Sequence, residues 1–230
     1  MSSSDPARYG GAEAAGPRLL ATISVVEALE TELTRRLLGG DLRPGDRLRE
    51  VELAEHYGVG RYTLRAAFDG LVRRGLLQRE RGRGVTVAVL GPDDFVEIYE
   101  ARMALEAQAA RTLAARRAVP DAAREALDRL DRLPADADWR LVADADLGFH
   151  RALVAATGNR RLQRMHADLE VEILLGMVQL GAGYATMPKL AAEHRALLAA
   201  IAAGRPGAAE RAARSHLGDA AAWFAQGATA

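Results

Sequence analysis

Glycine and proline cut this chain into segments whose lengths leave few folds open. From Leu19 a helical pattern begins, with Val26, Leu29, Leu33 and Leu37 recurring at steps of three, four and four. Gly39-Gly40 stops it, and Leu42-Arg-Pro-Gly45 reads as a turn. A short helix is predicted from Glu50 to Tyr57, ended by Gly58. A second runs from about Arg61 to Arg74, ended by Gly75, and places Leu64, Phe68, Leu71 and Val72 on one face. Two strands, Leu76 to Glu80 and Val85 to Val89, then flank Arg81-Gly-Arg-Gly84, whose glycines permit the positive φ of a tight hairpin. Helix, helix, turn, helix, hairpin is the order of a winged helix-turn-helix.

Gly91-Pro92 closes this unit, and the pattern beyond it is helical throughout. Helices are expected near 93–117, 121–133, 138–156, 160–180, 188–203 and 206–225. Breaks fall at Pro120, Pro134, Gly158-Asn159, the Gly181–Pro188 segment and Gly204-Arg-Pro206. Six to seven helices at this length make an all-α bundle, in which ligand sites lie between helices. The expected fold is therefore mainly α. Residues 1–17, rich in Ser, Gly, Ala and Pro, form a disordered tail, residues 18–90 a winged helix-turn-helix, and residues 93–226 a helical bundle. A 230-residue chain with 49% hydrophobic content can give each of the two domains a core.

Thirty-one basic and 31 acidic residues cancel, which argues against a general nucleic-acid coat. The distribution is more informative. Between Gly60 and Gly84, arginines 61, 65, 73, 74, 79, 81 and 83 face only Asp69 and Glu80. With the apolar face of the second short helix turned inward, Arg61, Tyr62, Arg65 and Asp69 point outward. Arginines there can meet phosphates or the O6/N7 edge of guanine in a major groove. Arg61, Tyr62, Thr63 and Arg65 on that helix, with Arg81 and Gly82 at the hairpin tip, are the candidate DNA contacts. One recognition helix reads only a few base pairs, so a homodimer on an inverted repeat is expected.

The chain has no cysteine, which removes disulfides, thiolate metal ligands and a cysteine nucleophile. It starts without the basic and then apolar run of a secretory signal, and no apolar run approaches a membrane span, so it is expected to be cytoplasmic. No H-E-x-x-H, G-x-S-x-G or phosphate loop is present, so no enzymatic activity is expected.

Four of the five histidines fall in the second half, and three of these, His150, His194 and His216, accompany Asp146, each in a helical stretch. Asp146 and His150, four apart, share one helix face, and His194 and His216 lie on two later helices. A carboxylate with three imidazoles is a common donor set for a divalent transition metal. Zn²⁺ is expected first, with Ni²⁺, Mn²⁺ and Co²⁺ as alternatives. Each imidazole must be neutral to ligate, so protons should compete as pH drops through about 6.5. His56 and His166 have no such partners in the sequence and read as ordinary helix residues.

Two stretches, LLGGDLRPGDRLREVELAEHYGVGRYTLRAAFDGLVRRGLLQRERGRGVTV and YEARMALEAQAARTLA, resemble the GntR transcription regulators of the FadR-type subfamily. Residues 93–225 resemble that family's C-terminal ligand-binding bundle, the FCD domain. In its metal-binding branch an Asp-x-x-x-His on one helix and two later histidines hold the ion, and Asp146, His150, His194 and His216 match those positions. Arg102 matches a family arginine on the first bundle helix, and its guanidinium suits a carboxylate effector, the alternative being an internal ion pair with Glu106 at i+4. Gly60, Tyr62 and Ala66 depart from the family pattern on the DNA-facing surface. The resemblance implies a DNA-binding regulator, a repressor, whose operator binding responds to a small organic acid at the metal. A regulator that answers to the metal alone, or a purely structural ion, are the alternatives.

Overall fold

The computed structural model describes residues 24–82, 84–180 and 187–227. The expected tail, the helix onset at Leu19, Arg83 of the hairpin and most of the break before Pro188 lie outside the described residues. Ser24 starts α1 (Val25–Leu38): its hydroxyl accepts from the Glu27 N–H, and the Glu27 carboxylate accepts from the Ser24 N–H. Leu29, Leu33 and Leu37 are buried, as their spacing requires. Then come α2 (Glu50–Tyr57), ended by Gly58 at φ 63°, and α3 (Arg61–Arg73), which buries Leu64, Ala67, Phe68 and Leu71. Val72, expected on the same face, is only half-buried.

Strands β2 (Leu77–Glu80) and β3 (Gly84–Val87) pair antiparallel from Leu77↔Val87 to Glu80↔Gly84. Gly82 and Gly84 hold φ of 82° and 83°, the backbone freedom for which the hairpin uses glycine. A two-residue strand, β1 (Arg47–Leu48), adds to the free side of β3, giving the order β1-β3-β2. Nothing in two residues of sequence marks it, because its stability comes wholly from the neighbour it pairs with.

The remaining described helices are α4 (Pro92–Arg116), α5 (Asp121–Arg132), α6 (Trp139–Ala156), α7 (Arg160–Leu180), α8 (Met187–Ala202) and α9 (Pro206–Gly227). Pro92 occupies the first turn of α4, where its missing N–H costs nothing, and Asp94 accepts from the Gly91 N–H. Helices α4 and α9 pack along each other's length. One apolar cluster joins α4, α5, α6, α8 and α9 around Leu113, Phe149, Leu197 and Ile201. A second joins α4, α6, α7 and α9 around Phe95 and Phe224, whose rings stack at 4.7 Å. Between these two clusters lies a group of buried polar side chains.

The winged unit does not stand apart from the bundle. Leu175 of α7 belongs to the same apolar cluster as Leu33, Phe68 and Val87, and Val171 packs against it. The Gln179 amide donates to the Ala88 carbonyl at 2.8 Å and accepts from the Leu90 N–H at 3.0 Å, gripping the chain between β3 and α4.

Candidate metal centre and nucleic-acid interface

Asp146, His150, His194 and His216 converge, each at most 3% exposed, with one donor atom apiece all within 4.8 Å of one another. His150 Nε2 lies 3.1 Å from His216 Nε2, which lies 3.4 Å from His194 Nε2. Asp146 Oδ1 closes the circuit, 3.2 Å from His194 Nε2 and 3.6 Å from His150 Nε2. Four donors at about 2.0–2.1 Å from a tetrahedral ion would stand about 3.3 Å apart, so these spacings fit a divalent cation. Neither Asp146 oxygen, though buried, has a hydrogen bond of good geometry. A buried carboxylate left in that state is costly unless a cation faces it.

Two further carboxylates hold the rings. His216 Nδ1 donates to Glu193 Oε2 at 2.7 Å, and His150 Nδ1 lies 2.5 Å from Glu106 Oε2. On His216 the carboxylate can only accept, which fixes the Nδ1–H tautomer and turns the Nε2 lone pair toward the centre, whereas the His150 contact is a close ion-pair approach without hydrogen-bond geometry. Phe149 stacks on the His194 ring at 3.9 Å. A narrow cleft lined by Lys189, Glu193, Asp219 and Trp223 reaches the outer side of His216, and the Lys189 ammonium pairs with both acids at 3.5 Å.

Protonation follows from these contacts. Burial works against a charged His150, but Glu106 and Asp146 outweigh it and raise the imidazole to about 9. Burial pushes His194 down to about 4, and Asp146 offsets only part of that. Burial likewise acts against the Asp146 and Glu106 carboxylates. The rings of His150 and His194 in one case, and Arg102 with His150 in the other, hold them well below the usual carboxylate range.

Arg102 is wholly buried on α4, and its Nε donates to Glu106 Oε1 at 2.8 Å. It is therefore joined to the candidate metal ligands through one intervening carboxylate. The same oxygen lies 3.0 Å from His166 Nε2. His166, expected to be an ordinary helix residue, is 2% exposed and belongs to this network. Its partner lies 60 residues earlier in the chain, so no local pattern could reveal it. His56 is exposed, edge-on to Tyr57.

At the other end of the molecule, α3 presents Arg61, Tyr62 (87% exposed) and Arg65 to solvent, with Thr63 half-buried beside them. Its N-terminus follows Gly60, which offers no side-chain cap. Arg65 Nε donates to Glu50 Oε2 of α2 at 2.7 Å, and Arg79 of β2 pairs with Asp69 at 2.5 Å. Arg81 and Gly82 are exposed at the hairpin tip. Sequence reasoning missed Glu50, which pairs with Arg65, one of the candidate DNA contacts.

Comparison with known proteins settles the class. Residues 25–87 match the bacterial regulatory proteins of the gntR family, and residues 97–219 match the FCD domain. The chain belongs to the GntR family. It is 31% identical to the HTH-type transcriptional regulator Rv0494 of Mycobacterium tuberculosis, over 84% of this chain and 86% of that one. It is 30% identical to the protein named "Probable D-xylose utilization operon transcriptional repressor" of Paenarthrobacter nicotinovorans, over 89% and 90%. A solved GntR transcriptional regulator from Rhodococcus sp. RHA1 superposes with a TM-score of 0.73 at 28% identity, covering 86% of this chain and 96% of that one. This GntR protein is accordingly a DNA-binding transcriptional regulator with an FCD domain, and not an enzyme. None of its described helices is long and apolar enough to cross a membrane.

Proposed function

We propose that this GntR protein is a cytoplasmic homodimeric repressor whose hold on an inverted-repeat operator is set by a small carboxylate bound beside a divalent ion. In this reading residues 18–90 bind DNA through Arg61, Tyr62, Thr63, Arg65, Arg81 and Gly82, and residues 93–226 sense the effector. Asp146, His150, His194 and His216 would hold the ion, Zn²⁺ first among Ni²⁺, Mn²⁺ and Co²⁺, since three imidazoles and a carboxylate without thiolate do not select more narrowly. Once bound, the ion supplies a Lewis-acid centre to which a ligand oxygen can attach.

The observation that carries this reading is the buried convergence of Asp146, His150, His194 and His216, in which neither Asp146 oxygen has a hydrogen bond of good geometry. Arg102, buried and joined to this group through Glu106, carries the guanidinium that suits an effector carboxylate. Repression is supported by analogy with the relative whose name is "Probable D-xylose utilization operon transcriptional repressor".

The test is elemental analysis of the purified protein, followed by thermal-shift measurements with acetate and malonate in the presence and absence of the ion. A ligand that binds only the native state raises the melting temperature. Carboxylate stabilisation confined to the loaded protein, with a change in operator gel shift, supports the proposal. An ion that stabilises with no carboxylate response leaves the metal-sensor reading if operator binding tracks the ion, and the structural staple if it does not.

A further inference from the structure

We propose that Glu106 is a positioning residue that couples Arg102 to the metal ligands, so that a charge change at either is felt at the other. This rests on the metal reading of the His₃Asp group, but not on the identity of any effector.

Glu106 is 3% exposed and lies on α4, one turn beyond Arg102. Its two oxygens divide the work. Oε1 accepts from Arg102 Nε at 2.8 Å and lies 3.0 Å from His166 Nε2 on α7. Oε2 lies 2.5 Å from His150 Nδ1 on α6. One rigid carboxylate therefore meets a cation, a neighbouring imidazole and a metal-ligand ring on three helices. A carboxylate on the outer nitrogen of a ligating histidine fixes its tautomer and raises its donor strength, and removing such a partner costs 10- to 100-fold in metal affinity as a rule. The guanidinium draws on the same carboxylate from the other side. Removing it, or engaging it with an anion, leaves Glu106 more of its charge for the His150 ring and takes a like charge from beside a bound cation. His166 carries the network outward, its Nδ1 4.0 Å from Glu170, which is paired with Arg151 on the surface of α6. Glu193 supports His216 from a partly exposed position with Lys189 as its counter-ion, so it has no comparable link to Arg102.

A double-mutant cycle on the full chain tests this, using Zn²⁺ competition against a chromophoric chelator and the visible spectrum of the Co²⁺-loaded protein. Glu106→Gln is expected to weaken Zn²⁺ binding by 10- to 100-fold and to alter the Co²⁺ bands, and Glu106→Asp to recover part of both. Arg102→Met is expected to strengthen Zn²⁺ binding several-fold in the native background and by less than twofold in Glu106→Gln. Equal Arg102→Met shifts in both backgrounds would overturn the coupling, as would a Glu106→Gln protein with native affinity and spectrum. If Arg102→Met does not fold, as judged by circular dichroism, the neutral and polar Arg102→Gln takes its place, with the same dependence on Glu106 required. A native protein that binds neither Zn²⁺ nor Co²⁺ refutes the metal reading itself, a result separable from loss of coupling.

Discussion

At the scale of single residues, the proton on His150 gives the sharpest expectation. His150 is raised from 6.5 to about 9 in the ion-free protein, so it must give up a proton whenever an ion binds below that pH. Apparent metal affinity should therefore climb about tenfold per pH unit up to about 9, rather than levelling off above 6.5. His194, at about 4, adds no competition until far lower pH. The linked effect on folding has a definite sign. A raised histidine pKa adds stability that is fully present below 6.5 and is lost as pH rises through about 9, so the melting shift on adding Zn²⁺ should grow between pH 6.5 and 8.5. Calorimetry in buffers of different ionisation enthalpy would count the released proton; no release at pH 7.5 contradicts the assignment. Asp146 and His150 were legible as a pair because their spacing is local, and His194 and His216 through the family resemblance. Glu106 was legible only as the i+4 ion-pair partner of Arg102, which it is; its approach to His150 and His166, like that of Glu193 to His216, was not, since those contacts are made only in three dimensions.

The elements were the most legible level, because glycine, proline and apolar spacing act over a few residues. The last five helices lie within about two residues of the expected bounds, the ordinary uncertainty of helix ends. What lay beyond reach was which side chains meet across elements. Glu50 of α2 on Arg65 of α3 is one such contact, and it bears on DNA binding. Arg65→Ala should cost about 1–3 kcal/mol of operator affinity if the arginine reads a base. Glu50→Gln should act in the opposite direction, tightening operator binding several-fold by freeing the guanidinium and removing a negative charge from the phosphate-facing surface. Fluorescence anisotropy with operator and scrambled duplexes would measure both, and unchanged affinity in Glu50→Gln would show that the pair opens without cost. A second cross-element contact concerns packing. A Cβ on Gly176 of α7 would fall 2.3 Å from Cζ of Phe95, a ring stacked on Phe224 and unable to swing aside as a flexible chain would. Gly176→Ala should thus destabilise the fold by about 1–3 kcal/mol despite its better helix propensity, a loss that thermal denaturation would register.

For the whole molecule, the question is how a change among α6, α8 and α9 could reach α3. Helix α7 is the element common to both regions. Its middle carries His166 and Glu170 of the polar network, and its later turns carry Val171 and Leu175, which pack into the core of the winged unit. Gln179 then fixes the chain leaving β3 through two hydrogen bonds, to Ala88 and Leu90. A shift of α7 that repositions His166 would therefore carry the winged unit with it, and in a dimer would alter the spacing of the two recognition helices. An effector can change operator affinity only if it prefers one of those arrangements over the other. Gln179→Ala removes the clamp while leaving the metal ligands and the face of α3 untouched. It exposes one N–H and one carbonyl at a half-buried position, at a cost of about 1 kcal/mol, so the protein should still fold. Its Zn²⁺ affinity and its operator affinity without added ion should match the native protein, while the change in operator affinity on adding ion and carboxylate should shrink severalfold. Gel shifts across a titration of Zn²⁺ with and without malonate would read that response directly. A Gln179→Ala protein whose operator binding responds as fully as the native one would mean that the signal does not pass through α7 and the segment it grips.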